Sequence, residues 1–259
     1  MQVTWLGHSG FRIDIAGAVL LFDPWLIGNP MFPAHQRGKA LQGASHVVVT
    51  HGHGDHMAQS IGLALELDVP LVGPDGLIQR YAARDGAQGI GFNRGGTVTL
   101  AGARLTMVAA SHSLAAPVGQ GAASYAGAAC GYMISGEGHT VYLSGDTDIM
   151  ADMAWMAELH QPDIGLLAAG GNDTMDMERA AFAARKYFNF RTVIPYHYRG
   201  SPKLAQDAVA LRAGLPPGIE LVEPEVMEPI RFAPQVAPRP YAPGQPPTNA
   251  DTNAKLRAV

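Results

Sequence analysis

The chain has 259 residues, 47% of them hydrophobic and 15% charged, which is enough to bury a sizeable core and describes an ordinary globular protein. A formal net charge of -4 without any dense Lys/Arg stripe excludes nucleic acid as a first partner, and the lone Cys130 leaves no internal disulfide to suggest an oxidising compartment. No apolar run reaches membrane-spanning length and Met1-Gln2-Val3-Thr4-Trp5 carries no leader-like pattern, so a membrane is excluded and a cytoplasmic location is the default expectation.

Apolar runs over 3–6, 11–15 and 19–22 predict three strands of an antiparallel meander, separated by Gly7-His8-Ser9-Gly10 and Ala16-Gly17-Ala18. The third ends at Asp23-Pro24-Trp25, where proline stops the ladder and Asp23 is placed to support a metal ligand by a hydrogen bond. Residues 26–39, with Asn29-Pro30, Pro33 and His35, predict a loop at a pocket rim, His35 staying at the surface.

The run His46-Val47-Val48-Val49 predicts a buried strand that delivers Thr50-His51-Gly52-His53-Gly54-Asp55-His56. On a helix, His51 and His53 would lie roughly 200° apart, whereas on extended backbone they project to the same side. The glycines let this strand-end loop curl around something small. Imidazole with carboxylate suits Zn(II), Fe(II), Mn(II) or Ni(II), and the lack of a cysteine argues against a closed structural zinc site. Asp55 and His56 are neighbours that must point away from the first pair, which implies a second ion. The spacing of Met57, Ile61 and Leu65 predicts a helix starting here, with Asp55 near its positive end.

Strands are next predicted over 69–73, 89–92, 97–100 and 104–109, with a helix over 75–83. The last strand closes on Ser111-His112-Ser113, as the earlier one closes on His51. Residues 114–129, rich in Gly, Ala, Ser and Pro, predict a mobile surface loop placed to cover the site. A hairpin of strands 131–134 and 140–143 delivers Ser144-Gly145-Asp146-Thr147, with Cys130 as small-residue packing at its start. An alternating pattern follows: helix 149–159, strand 164–168, helix 175–188, strand 192–195 and helix 202–211 make βα units. In the loop Gly170-Gly171-Asn172-Asp173-Thr174, either Asp173 or Thr174 is placed to cap the following helix. Strand 192–195 leads into Tyr196-His197-Tyr198-Arg199. From Ala233 the chain turns Pro-rich, so the reading is one domain over 1–232 and a tail over 233–259 that docks on the body or on a neighbouring subunit, which keeps a homo-oligomer open.

Four strand ends thus carry ligand-type residues: His51, His53, Asp55 and His56; His112; Asp146; and His197. The His-x-His-x-Asp-His run and this order resemble the metallo-β-lactamase superfamily over residues 1 to 230. Trp5-Leu6-Gly7-His8-Ser9, Asp23-Pro24, Asn93-Arg94-Gly95-Gly96, Ser144-Gly145-Asp146-Thr147, Gly170-Gly171 with Thr174-Met175, and Pro195-Tyr196-His197-Tyr198 resemble the UPF0173-type metal-dependent hydrolases, which are similar to ascorbate-6-phosphate lactonase. The resemblance implies an α/β, four-layer αββα sandwich binding two divalent metal ions, zinc first, with manganese, iron or nickel fitting the same donors. By the family pattern, His51, His53 and His112 hold the first ion, Asp55, His56 and His197 hold the second, and Asp146 bridges. Asp176-Met177-Glu178 departs from the pattern, standing where related sequences place Gly-Pro before the helix.

A dinuclear site of this kind implies a hydrolase that turns a metal-bound hydroxide on a small, anionic ester, lactone or phosphoester. Asp55 is the candidate for orienting that hydroxide and moving its proton. His8, Tyr198 and Arg199 are candidate substrate contacts, and Arg94 and Arg199 offer paired donors to an oxyanion. Two other readings use the same fold, a di-iron redox protein and a noncatalytic metal-binding domain. The first expects a glutamate where His53 stands and an appended flavin domain.

Overall fold

The N-terminal meander folds because its apolar residues alternate between short turns. β1 (Gln2–Gly7), β2 (Gly10–Ile15) and β3 (Ala18–Phe22) pair antiparallel, in a register that sets Val3 opposite Ile13 and Phe11 opposite Phe22. A short helix α1 (Arg37–Leu41) occupies the end of the stretch expected as loop, and buries Ala40 and Leu41. β4 (His46–Val48), α2 (Gly54–Met57), α3 (Ser60–Leu67), β5 (Leu71–Pro74), α4 (Asp75–Asp85) and β6 (Gly89–Phe92) then extend the sheet with parallel strands. Within this run Leu65 is 47% exposed while Ile61 and Ala64 are buried, so the apolar stripe of α3 is narrower than the sequence spacing implies.

The second sheet is built from β7 (Thr97–Leu100), β8 (Ala103–Ala109), β9 (Cys130–Gly136), β10 (His139–Leu143), β11 (Ile164–Ala168), β12 (Thr192–Tyr196) and β13 (Glu220–Leu221). Helices α5 (Met153–His160), α6 (Met177–Tyr187) and α7 (Val209–Gly214) alternate with its parallel strands, and β14 (Pro229–Arg231) returns to the edge of the first sheet beside β1. This is a computed structural model, and it describes residues 1–113 and 128–235. Of the covering loop read over 114–129 and the docking tail read over 233–259, residues 114–127 and 236–259 lie outside the described residues. Among those described, the strands form two seven-stranded sheets, ordered β14-β1-β2-β3-β4-β5-β6 and β13-β12-β11-β10-β9-β8-β7.

Strand alternation supplies both faces of the first sheet. Leu20, Phe22, Val48 and Val72 face a core shared with Leu105, Met107, Tyr132 and Ile134 of the second sheet. Their chain neighbours Leu21, Val47 and Leu71 join Leu41, Met57, Leu63, Leu77 and Ile78 in a separate core with the helices. Helices, sheet, sheet and helices make the four-layer αββα sandwich. No helix of the described residues is long and apolar enough to cross a membrane.

Several helix ends differ from the sequence reading for tertiary reasons. α6 is capped by Asp176, whose side chain accepts from the Arg179 N–H at 2.8 Å, and not by Asp173 or Thr174. Residues 171–175 close on themselves and on the site, through Gly171 N–H to Met175 O and Met175 N–H to Thr147 O. Residues 202–208, expected as helix, are held by Ala205 N–H to Gly170 O and Arg199 N–H to Ala205 O, so α7 starts at Val209. The hairpin turn narrows to Glu137-Gly138, both at positive φ, as a two-residue turn requires.

The turn after β10 sets Asp146. Gly145 there has φ +62, and a Cβ on it would stand 2.2 Å from the Cys130 carbonyl oxygen. Gly145→Ala is therefore expected to destabilise the protein by about 2–4 kcal/mol, from backbone strain plus the clash. Urea denaturation measures it, and a loss well below 1 kcal/mol would show that the turn does not depend on glycine.

Candidate metal centre

The ligand-type residues stand past the C-terminal ends of strands, Asp55 and His56 in the short helix α2 that follows β4. β4 delivers residues 50–53, β8 delivers His112, β10 delivers Asp146 and β12 delivers His197, so the edges of both sheets converge on one place. His51 Nε2 lies 3.0 Å from His53 Nδ1, and His112 Nε2 lies 3.2 Å from the same nitrogen. Asp146 Oδ2 lies 3.3 Å from His56 Nε2, 3.4 Å from His197 Nε2, 3.8 Å from His112 Nε2 and 4.0 Å from His51 Nε2. Asp55 Oδ2 is 3.6 Å from His56 Nε2 and 3.8 Å from His197 Nε2. All seven expected ligands are thus brought together.

These spacings fit metal ions. Nitrogens held at zinc–nitrogen distances of about 2.0–2.1 Å in a tetrahedron lie roughly 3.3–3.4 Å apart, close to the separations within the His51, His53 and His112 group. His56 Nε2, His197 Nε2 and Asp146 Oδ1 are buried without any hydrogen-bond partner, which a protein accepts only where something else satisfies them. The donor set, nitrogen and carboxylate without thiolate, suits a catalytic rather than a closed structural site.

Asp23 arranges two of the histidines. Its carboxylate accepts from Thr50 N–H at 2.8 Å, from Thr50 Oγ–H at 2.6 Å and from His56 Nδ1 at 2.8 Å, the supporting bond read from the sequence. With its proton given to Asp23, the Thr50 hydroxyl can only accept from His51 Nδ1, 2.9 Å away. Both rings therefore carry their lone pair on Nε2, aimed into the cluster.

Electrostatics follows from burial and crowding. Burial, with His56 nearby, pushes His51 down to about 2. For His197, burial also lowers the pKa, but Asp146 and Asp55 outweigh it and raise the imidazole to about 9; His56 is raised as well, by Asp146 and Asp23 against burial. Burial works against ionisation of Asp55 and Asp146, yet the surrounding histidines hold both carboxyls well below the usual range. Protons on His56 and His197 therefore compete with cations for the same charge complement.

The remaining candidates are placed differently. His8 is buried, with Nε2 2.9 Å from Asp55 Oδ2 and its ring 4.0 Å from that of His197. Arg94 is exposed and donates to the Ala129 carbonyl oxygen. Tyr198 and Arg199, expected at the substrate, are not brought together with the cluster. Tyr198 stacks on Trp5, and burial pushes its phenol up to about 12. Arg199 packs over Trp5 and Tyr198 and donates to Glu225 and the Pro224 carbonyl. The cause is the backbone: φ is +58 at His197 and +64 at Arg199, so the chain coils there and the side chains after the histidine turn away. Thr50 and Trp25, whose ring meets His8 edge-on at 5.2 Å, went unread; a hydroxyl directly before the histidine run was the available signal.

Fold and cluster define a protein of the β-lactamase superfamily, and the model of the β-lactamase superfamily domain matches residues 19–198. A UPF0173 metal-dependent hydrolase of Cereibacter sphaeroides is 63% identical over 230 residues, covering 89% of this chain and 99% of that protein. One from Paracoccus denitrificans is 60% identical with the same coverage. A metallo hydrolase of the hyperthermophilic archaeon Ignicoccus hospitalis is a structural neighbour, with TM-score 0.73 at 28% identity, covering 89% of this chain and 98% of its own. The chain belongs to the UPF0173 family within that superfamily.

The Asp23 bonds generate a prediction. Asp23→Asn breaks the tautomer control of His56 and is expected to weaken zinc affinity 10- to 100-fold without unfolding the chain, by the usual effect of losing a ligand's hydrogen-bond partner. Zinc titration by calorimetry checks this, with circular dichroism as the fold control; wild-type affinity would remove the role assigned to Asp23.

Proposed function

We propose that this protein is a hydrolase that uses two divalent metal ions, zinc first, on a small ester, lactone or phosphoester. The observation that carries the reading is the position of Asp146, whose Oδ2 lies within 4.0 Å of nitrogens from both histidine groups and so is placed to serve both ions. His51, His53 and His112, whose ligand atoms lie within 4.8 Å of one another, would hold one ion, and by the family pattern Asp55, His56 and His197 the other, with Asp55 Oδ2 3.6 Å from His56 Nε2 and 3.8 Å from His197 Nε2. The names of the bacterial and archaeal relatives support hydrolysis with metal.

Two bound cations supply charge that lowers the pKa of water and polarises the oxygen of the scissile bond. The chain's own residues do the rest. His51, His56, Asp146 and His197 are buried, which closes the back of the centre to solvent and strengthens every charge interaction there. His53, Asp55 and His112 are half-buried and mark the side from which substrate approaches. Asp55 is ionised and partly open to that side, so it is placed to orient the attacking water and accept its proton. Arg199, held by Glu225 and Pro224, adds no free cation to this face, which leaves Arg94 as the remaining arginine for an anionic substrate group.

Elemental analysis of metal-replete protein should give two divalent ions per chain, falling to one or fewer in Asp146→Ala. Asp55→Asn should keep the fold but lose about 100-fold or more in kcat, in keeping with removal of a proton acceptor. The activity screen covers simple and phosphorylated lactones, 4-nitrophenyl acetate and bis(4-nitrophenyl) phosphate. Two ions retained by Asp146→Ala, or no hydrolysis across the panel by metal-replete protein, would overturn the reading.

A further inference from the structure

We propose that His8 positions Asp55 for the second ion, as a hydrogen-bond donor that is neither a metal ligand nor a substrate contact. The inference rests on the proposed role of Asp55 at that ion. Three observations carry it, beginning with how firmly His8 is held. Its backbone sits at φ +51, a left-handed conformation that costs an ordinary residue roughly 1 kcal/mol or more. Its carbonyl accepts from Trp5 Nε1–H at 2.9 Å and from His197 N–H at 3.0 Å, so the strained turn is clamped to β1 and to the end of β12 together. The ring meets Trp25 edge-on at 5.2 Å and His197 at 4.0 Å, which fixes its direction.

The second observation is what that direction achieves. His8 Nε2 arrives 2.9 Å from Asp55 Oδ2, nearer than His56 Nε2 at 3.6 Å or His197 Nε2 at 3.8 Å. Asp55 lies in the first turn of the four-residue helix α2 and its side chain is 37% exposed. Without a partner such a carboxylate would sample several rotamers. One donor on Oδ2 selects the rotamer in which that same oxygen faces His56 and His197. The second lone pair of Oδ2 stays available to a cation, and Oδ1 stays available to a proton.

Third, His8 stands outside the ring of donors around Asp146. Nitrogens of His51, His56, His112 and His197 come within 4.0 Å of Asp146 Oδ2, and no such approach is described for His8. His8 does lie with Asp55 and His197 in a group whose ligand atoms are all within 4.8 Å of one another, so what separates a donor from a ligand is its 2.9 Å approach to Asp55 Oδ2, an ordinary hydrogen-bond distance. A nitrogen that spends its proton on Asp55 has no lone pair left at that atom for a metal.

The test is zinc titration of the full-length protein and four variants. His8→Asn tolerates the left-handed backbone but is too short to reach Asp55, while His8→Gln carries an amide nitrogen about as far as Nε2. His8→Asn should weaken one of the two zinc affinities 10- to 100-fold while both sites still fill at saturation. His8→Gln should stay within about threefold of wild type. In the Asp55→Asn background, adding His8→Asn should change nothing further, because the two residues act as one unit. On whichever of 4-nitrophenyl acetate or bis(4-nitrophenyl) phosphate the wild type hydrolyses, His8→Asn should lower kcat about tenfold or more with KM moved less than about threefold. Loss of a zinc site at saturation would make His8 a ligand, a KM effect alone would make it a substrate contact, and additivity with Asp55→Asn would disconnect the pair; each result overturns the inference. Wild-type zinc binding by Asp55→Asn would instead remove the second-ion role of Asp55, a separate failure read from a separate variant.

Discussion

Four imidazole nitrogens lie within 4.0 Å of one buried carboxylate oxygen, Asp146 Oδ2, and the local structure of the chain is arranged to make that crowding tolerable. Buried polar atoms without partners cost several kcal/mol together, and like-charged imidazoles cannot all protonate to relieve it. The backbone adds strain at the same place. His8, Asp23, His197 and Arg199 all take left-handed φ values, between 41° and 64°, within a few residues of the cluster. Strain of this kind persists only where the surrounding packing over-determines it. Two cores do so here, one between the sheets and one between the first sheet and its helices, fed by alternate residues of the same strands.

That division explains which parts of the molecule could be read from the sequence. Strands such as Gly89–Phe92, Thr97–Leu100 and Ile164–Ala168 match their expected bounds because alternation or a short apolar run between turn residues is a local signal. The His-x-His-x-Asp-His run was legible for the same reason, since i and i+2 on extended backbone must share a side. The gathering of His112, Asp146 and His197 with it was legible as residues at strand ends, helped by a resemblance over most of the chain.

What failed to read was set by contacts far apart in sequence. Residues 202–208 suit a helix locally, but Ala205 N–H bonds to Gly170 O and holds them in another path. Asp173 and Thr174 are ordinary capping types, yet Met175 N–H is taken by Thr147 O and the helix is capped instead at Asp176. Tyr198 and Arg199 follow a ligand-type histidine directly, and simple adjacency suggested the pocket. Left-handed backbone at 197 and 199 instead sends them to Trp5 and Glu225. Positive φ at residues other than glycine is the feature least visible in a single sequence; most such residues lie elsewhere in the chain, but His8, Asp23, His197 and Arg199 stand at the site.

The half-buried face where His53, Asp55 and His112 stand has a rim tied to the same backbone. Gln59, three residues after His56, accepts through its side-chain oxygen from Leu26 N–H at 3.1 Å and Ile27 N–H at 2.9 Å, and donates back to the Ile27 carbonyl. Ile27 is left 69% exposed, beside Trp25, whose ring lies against His8. The segment that carries Asp55 and His56 therefore also fixes the 25–27 loop, while Asp23, two residues before Trp25, holds His56 from the other end. A change in that loop cannot be independent of the geometry of the second ligand group. Rim and centre form one closed circuit of contacts, from Asp23 through His56 and Gln59 to Ile27 and from Trp25 through His8 to Asp55, so variation in this rim is constrained by the centre it borders.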